Sequence, residues 1–444
     1  MGTAIRRDTE NPWYWTFDGS RVLLLGGSNT DNLFQWAGNG LESHLDLLVE
    51  CGGNYVRNTM SDRNDGDVLA FEEIEPGVYD LEQWNSEYWN RLETFLELTA
   101  ERDVIVELTL WDQHDFGSER WRVHAWNPEN TITYDESEAQ LPHELDIEQW
   151  NERSAFFCSV SEHKEVLLAH QERFVDAILD RTLEHDHVLY NVTNEGWAGI
   201  EWERHWAGVL HDRAGSEGKH IEVGNMNMTP DESVQKVIDH PEIFTFVELS
   251  QHNQDAMGSS DQEHWDRLIE WRGAIEQSIG PRPINNVKIY GGYNGGNSAA
   301  GDADEAVERA WRNLLGGCAA MRFHRPVESQ DRTWGIGLTE RAQVQIRSMR
   351  MVDEAIDITR MGPSQELIEA PESNTAYCAA APDNTYLVYV PTGRTVDLTI
   401  GKGSYELRWL DTERAEWVEG TSVSGGRVTL EPPVDRNAIA TITA

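Results

Sequence analysis

The chain has 444 residues, with 36 Lys+Arg against 78 Asp+Glu and a formal net charge of −42. Its 39% hydrophobic and 9% aromatic residues supply a large core, which excludes disorder as the main state. A field of this sign excludes nucleic acid and anionic membranes as natural partners, and no run approaches the ~20 apolar residues of a membrane span.

Arg6-Arg7 near the start are followed by no apolar stretch, so a cytoplasmic location is expected. Lysine is confined to Lys164, Lys219, Lys236, Lys288 and Lys402. An acid-rich, lysine-poor chain fits work in concentrated salt, where charges are screened beyond about 3 Å. The four cysteines, Cys51, Cys158, Cys318 and Cys378, have neither disulfide nor zinc spacing and read as buried thiols. Composition carries no signature of an oligomeric state.

Residues 13–17 and 21–25 flank Asp18-Gly19, a hairpin signal suited to a plug beneath a barrel. Eight candidate strands follow at 22–28, 55–60, 104–112, 188–195, 221–226, 244–252, 284–291 and 318–324. Helical patterns lie between them at 87–102, 162–183, 202–213, 264–279, 306–315 and 340–358. The alternation predicts an α/β fold, a (β/α)8 TIM barrel. A doubly wound sheet would need a glycine fingerprint after its first strand, and none is present. The barrel is expected over 1–361, with a long loop at 113–151 emerging on the face where barrel active sites sit. Short strands at 385–390, 395–400, 404–410, 427–430 and 438–443 predict a small C-terminal all-β sandwich domain over 362–444.

The sharpest local signal is Tyr190-Asn191-Val192-Thr193-Asn194-Glu195-Gly196-Trp197. The fourth strand ends in Asn-Glu, which sets a carboxyl group at the barrel mouth beside an amide that can bind a substrate hydroxyl. Glycosidic-bond hydrolysis needs such a group as general acid/base. With Asn11-Pro12, the run Gly26-Gly27-Ser28-Asn29-Thr30 and Asn54-Tyr55-Val56-Arg57, this stretch resembles the retaining glycoside hydrolases of the Asn-Glu (β/α)8-barrel clan. The tail, from Tyr377-Cys378 through Tyr386-Leu387-Val388-Tyr389-Val390-Pro391 to Tyr405-Glu406-Leu407-Arg408-Trp409-Leu410-Asp411, brings the resemblance closer. It is similar to cellulase-like and apiosidase-like members that carry a C-terminal collagen-binding-like β domain. The resemblance implies a carbohydrate substrate, Glu195 as acid/base, Asn194 as its amide and Arg57 as the strand-two arginine. It also implies that His114 and His252 match histidines after strands three and six.

The clan's nucleophile is a carboxylate on strand seven. Here that strand reads Pro283-Ile284-Asn285-Asn286-Val287-Lys288-Ile289-Tyr290, without Asp or Glu, and Lys288 occupies the slot. Strand alternation puts Asn286, Lys288 and Tyr290 on one face, expected to be the barrel interior. Glu248, sharing parity with Ser250 and His252, is one substitute nucleophile, and the alternative is a buried Glu248–Lys288 ion pair. Asp112 or Asp115 could instead activate water for inversion, across carboxyls ~6.5–9.5 Å apart. A third option is a barrel that binds sugar without hydrolysing it. Lys288, with Arg322 and His324, could also hold an acidic sugar, or Arg322 could pair with Glu107 or Glu222. Among the 18 tryptophans, Trp36, Trp111, Trp121, Trp126, Trp197 and Trp334 stand at or beyond strand ends, where a flat face can stack on a sugar ring. No cofactor or metal is called for: Glu184-His185-Asp186-His187 precedes strand four and reads as a turn at the barrel bottom.

Overall fold

The computed structural model describes residues 4–116, 119–144, 155–254, 260–292, 301–326, 328–329, 332–369 and 373–444. All eight expected strands are present and parallel: β1 (Leu24–Gly27), β2 (Tyr55–Thr59), β3 (Ile105–Asp112), β4 (Val188–Asn194), β5 (Val223–Gly224), β6 (Val247–Glu248), β7 (Ile284–Ile289) and β8 (Ala320–Phe323). They form one nearly closed sheet in the order β5-β4-β3-β2-β1-β8-β7-β6, the arrangement of a (β/α)8 barrel. Every residue of these strands is buried, as expected for strands covered on both faces. At Gly26 a Cβ would stand 1.9 Å from the Tyr55 carbonyl oxygen, so β1 and β2 approach too closely for any side chain there.

One helix follows each strand: α1 (Asn39–Glu50), α2 (Ser86–Ala100), α3 (Glu165–Thr182), α4 (Ile200–Ser216), α5 (Pro230–Asp239), α6 (Asp261–Ile279), α7 (Ala303–Leu315) and α8 (Glu340–Ile356). Local chemistry sets several starts. Asn85 and Asp302 cap α2 and α7 through their side chains, while Thr229 caps α5 ahead of Pro230 in the first turn. The sequence reading missed α1 and α5, although Thr229-Pro230 is a legible start signal. None of the described helices is long and apolar enough to cross a membrane.

The expected N-terminal hairpin pairs Trp15–Phe17 with Ser20–Val22, and Arg6–Arg7 adds a third strand. Asp18 and Gly19 have φ of 46° and 76°, the pair of left-handed residues that a tight two-residue hairpin turn requires. Fully buried Trp15 donates its indole N–H to Asn285 Oδ1 of β7 at 3.0 Å. A second hairpin, Phe71–Glu75 with Val78–Trp84, was not expected. It ends at Trp84, and Pro76-Gly77 between the two runs was its signal.

Beyond residue 361 the chain builds a seven-stranded antiparallel sheet. The two strands expected at 395–400 and 404–410 are one 16-residue strand, Val396–Asp411, with a register shift between Ile400 and Ser404. Glycines permit it, because a Cβ on Gly425 would lie 1.9 Å from the Gly401 carbonyl oxygen. This sheet encloses its own apolar cluster, including Val388, Leu398, Leu430, Ala440 and Ile442.

The chain packs as two compact units. The first holds Asp31–Asp46 and Arg57–Val247; the second holds Arg6–Thr30, Leu47–Val56 and Glu248–Ala444.

Candidate functional site

In the first unit, β3 and β4 run in register so that their last residues, Asp112 and Asn194, are partners. Asn194 Nδ2 donates to Asp112 Oδ1 at 3.0 Å. Glu195 then leaves the strand in the left-handed region with φ of 55°, which costs a residue with a side chain roughly 1–2 kcal/mol. Functional sites are where such strain is usually held. The Gly196 N–H donates to the Met226 carbonyl at 2.8 Å, and Gly196 bridges Asn227, fixing the turn.

Glu195 Oε2 lies 3.0 Å from Nε2 of His114, in the one-turn helix Gln113–Phe116 directly after β3. The His114 side chain is one-third exposed while that of Glu195 is 9% exposed, so the pair sits at the boundary with solvent. The His114 backbone N–H donates to Asp112 Oδ1 at 3.1 Å. Asp112 Oδ2 accepts from Arg63 Nη1 at 2.6 Å. Arg63 Nη2 is 3.5 Å from Asp31 Oδ2, and Asp31 Oδ1 is 3.2 Å from Nη1 of the fully buried Arg57. The row Arg57–Asp31–Arg63–Asp112 therefore alternates in sign.

Burial pushes the Asp112 carboxyl up, but Arg63, then His114, the Asn194 hydrogen bond and Arg57, outweigh it and hold Asp112 below its ordinary value. Burial opposes the charge on Arg63, yet Asp112, Asp115, Asp31 and Glu195 raise it. Asp115 goes the opposite way. Burial first, and neighbouring Asp112 second, lift its carboxyl well above the ordinary value, while Ser61 Oγ donates to it at 2.9 Å. Two carboxyls with environments that push them apart can hold different protonation states at one pH. Asp62, Asp112, Asp115 and His124 line a small internal cavity with Trp111 and Trp126.

Of the aromatic platforms, Trp197 is 37% exposed and presents a face next to Gly196. Trp126 does not. It is 2% exposed, edge-on to Phe71 of the second hairpin and to Phe156, because the insertion packs against apolar residues outside it. Trp111 and Trp121 are likewise buried. Within the insertion expected at 113–151, residues 117–118 and 145–151 lie outside the described residues.

In the second unit, buried Glu248 accepts the Ser250 backbone N–H at 2.8 Å and the Ser250 hydroxyl on the same Oε1. Ser250 Oγ in turn accepts the N–H groups of Val287 and Lys288, at 2.7 and 3.1 Å. The register against β8 shifts between Asn286 and Ile289, so strict alternation does not hold along β7. Asn285 meets the hairpin Trp15, whereas Asn286 Oδ1 accepts from Asn253 Nδ2 at 2.7 Å, toward α6 and α7. The parity expected to aim Lys288 inward therefore fails as an argument; Lys288 itself is buried on β7.

His252 is a correction as well. The chain leaves β6 after two residues, and His252 falls in a 3-10 turn with its ring stacked 4.0 Å from His264 of α6. Its Nε2 lies 2.7 Å from the His264 carbonyl, and burial lowers its pKa to about 3, as a core histidine between strand and helix. Arg322 is committed to backbone and hydroxyl groups. It donates to Ser28 Oγ at 2.9 Å, the Val287 carbonyl at 2.6 Å and the Thr30 carbonyl at 2.9 Å. Tyr290 and His324 stack at 4.3 Å, both buried, with Gln254 donating to the Tyr290 hydroxyl.

Asp261, Glu305 and Glu308 are, among the described residues, carboxylates close enough to share a cation. Glu308 is already bridged by Arg312 at 3.1 Å and Glu305 by Arg309 at 3.6 Å, so these two carboxylates belong to a salt network along α7. Asp31, Ser61 and Arg63 are the site residues that sequence reasoning missed. An arginine in the acid-rich run Asp62-Arg63-Asn64-Asp65, directly after a barrel strand, was the available signal.

No family model matches the chain, and no curated protein matches it. Solved structures do. One glycoside hydrolase aligns with TM-score 0.69 and 11% identity, over 99% of this chain and 96% of its own. A glycoside hydrolase family 5 protein from Bacteroides vulgatus aligns with TM-score 0.69 and 11% identity, over 99% and 92%. A family 5 mannosidase from Rhizomucor miehei aligns with TM-score 0.54 and 12% identity, over 80% and 98%. The fold of this chain is the barrel fold that these glycoside hydrolases share.

Proposed function

We propose that the protein is a glycoside hydrolase that cleaves an O-glycosidic bond of a poly- or oligosaccharide, with Glu195 as general acid/base. The observation that carries the reading is Glu195 itself. It stands one residue past β4 in a left-handed turn, its carboxyl on His114 and its neighbour Asn194 anchored to Asp112. Such a carboxyl gives its proton to the departing glycosidic oxygen and takes one from the incoming water. The Asn194 amide, next in the chain, is the group proposed to meet a sugar hydroxyl. Trp197 offers the ring face. The likeness to glycoside hydrolase structures supports the same class of reaction.

The absent strand-seven carboxylate favours a second reading, a barrel that binds carbohydrate without cleaving it. Glu248 is a poor substitute nucleophile because one oxygen already takes both Ser250 donors. The acidic-sugar variant rests on Lys288 alone, since Arg322 is engaged by the backbone. Residues 362–444 are proposed as an accessory β domain, and the charge balance is proposed to reflect work in concentrated salt. The deciding experiment compares wild type with Glu195→Gln on neutral and acidic glycosides in high salt. Turnover lost in the variant supports hydrolysis, and sugar binding without turnover in either protein supports the second reading.

A further inference from the structure

Asp112 was expected to be a candidate base, and its contacts argue for a different task. Three donors converge on it: Asn194 Nδ2 at 3.0 Å and the His114 N–H at 3.1 Å on Oδ1, and Arg63 Nη1 at 2.6 Å on Oδ2. Its side chain is fully buried. A carboxylate whose lone pairs are spent on fixed donors, away from solvent, is badly placed to take a proton from water. What it does instead is set two neighbours. An amide can present either end, but a carboxylate opposite it accepts only from the NH2 end. Asn194 is therefore held in one amide orientation, its NH2 end on Asp112 and its buried Oδ1 at the other end. The second neighbour is the one-turn helix carrying His114, whose ring meets Glu195.

We infer that Asp112, fixed by Arg63, is the positioning residue of the Glu195 site: it locks the Asn194 amide in one orientation and seats the turn that brings His114 to Glu195. The inference rests on Glu195 as acid/base. Arg63 is the distinctive part. It bridges Asp112 and Asp31, so one guanidinium ties the segment after β2 to the ends of β3 and, through Asp112, β4.

The test has two arms that fail separately. In the first, the side-chain amide of Asn194 is followed by NMR with 15N-asparagine in the intact protein. One amide proton is expected downfield and slow to exchange in wild type, and both features are expected to disappear in Asp112→Asn. An unchanged signal in Asp112→Asn overturns the inference, whether or not the protein hydrolyses anything. The second arm measures kcat and KM against pH on an aryl glycoside that wild type cleaves. Asp112→Asn is expected to lower kcat about 100-fold. Arg63→Gln, which leaves Asp112 buried without its cation, is expected to move the acid limb of kcat up by at least one pH unit, and Arg63→Lys to restore it. An acid limb that stays in place in Arg63→Gln, or a loss in KM alone, overturns the positioning role. Total inactivity of wild type on every glycoside defeats the proposed function while the amide signal still decides the role of Asp112.

Discussion

Lys236→Met should destabilise the protein by about 3–5 kcal/mol, the range for stranding one partner of a buried ion pair. The Glu203 side chain, on α4, is fully buried, and Lys236 on α5 approaches its two oxygens at 2.8 and 2.7 Å. Asn227 Nδ2 also donates to Glu203 Oε1 at 2.8 Å, and Asn227 bridges Gly196, next to Glu195. Removing the ammonium leaves a fully buried carboxylate with Asn227 as its neutral donor. Glu232, 2.9 Å from Lys236 on the same helix, reaches solvent and loses little. The assay is urea denaturation followed by tryptophan fluorescence, in one fixed high-salt buffer. The double variant Glu203→Leu/Lys236→Met removes both charges and should recover most of the loss, because paired apolar replacement is often neutral or better. A cost below 1 kcal/mol for Lys236→Met, or a double variant no better than the single one, would refute the reasoning.

Three further variants have expected outcomes. Asp115 has a folded pKa raised by burial and by Asp112, so its contribution is present below the ordinary carboxylate value and is lost as pH rises through the folded value. Asp115→Asn, which does not titrate and can still meet Ser61, should therefore gain stability over wild type at neutral pH, with the gain shrinking toward pH 4; a pH-independent difference would contradict this. Trp126→Ala should cost about 3–5 kcal/mol with no specific effect on sugar affinity, as a core truncation does. Trp197→Ala should leave stability within about 1 kcal/mol and weaken binding of a neutral oligosaccharide several-fold, as calorimetry would show; the reverse pattern would restore Trp126 to the ligand.

The barrel was legible because all eight strands are short buried runs, most with an apolar stretch, and six of the eight helices read as amphipathic; α1 and α5 did not. What the sequence hid is local. At β6 the chain keeps only Val247–Glu248 as strand before turning, which rotates His252 away from any parity argument. At β7 the register shift between Asn286 and Ile289 breaks the alternation that placed Lys288. The insertion tryptophans looked like platforms because exposure is not written in residue type; Trp126 and Trp121 are buried, while Trp197 is partly exposed. Glu195 stood out in the sequence because Asn-Glu at a fourth-strand end is a compact signal. Arg63 and Asp31 were missed because their partner Asp112 is 49 residues from Arg63 in sequence, and only the barrel brings them together.

The central claim is that Glu195 transfers a proton to and from a glycosidic oxygen. The measurement that tests it most directly is kcat/KM of wild type and Glu195→Gln on a panel of neutral and acidic glycosides in concentrated salt, with folding of both proteins checked by circular dichroism. The expected result is turnover by wild type and a loss of about 10²–10⁴-fold in the variant, the span of a positioned acid/base. Full activity in Glu195→Gln, or no glycoside cleaved by wild type, would contradict the account.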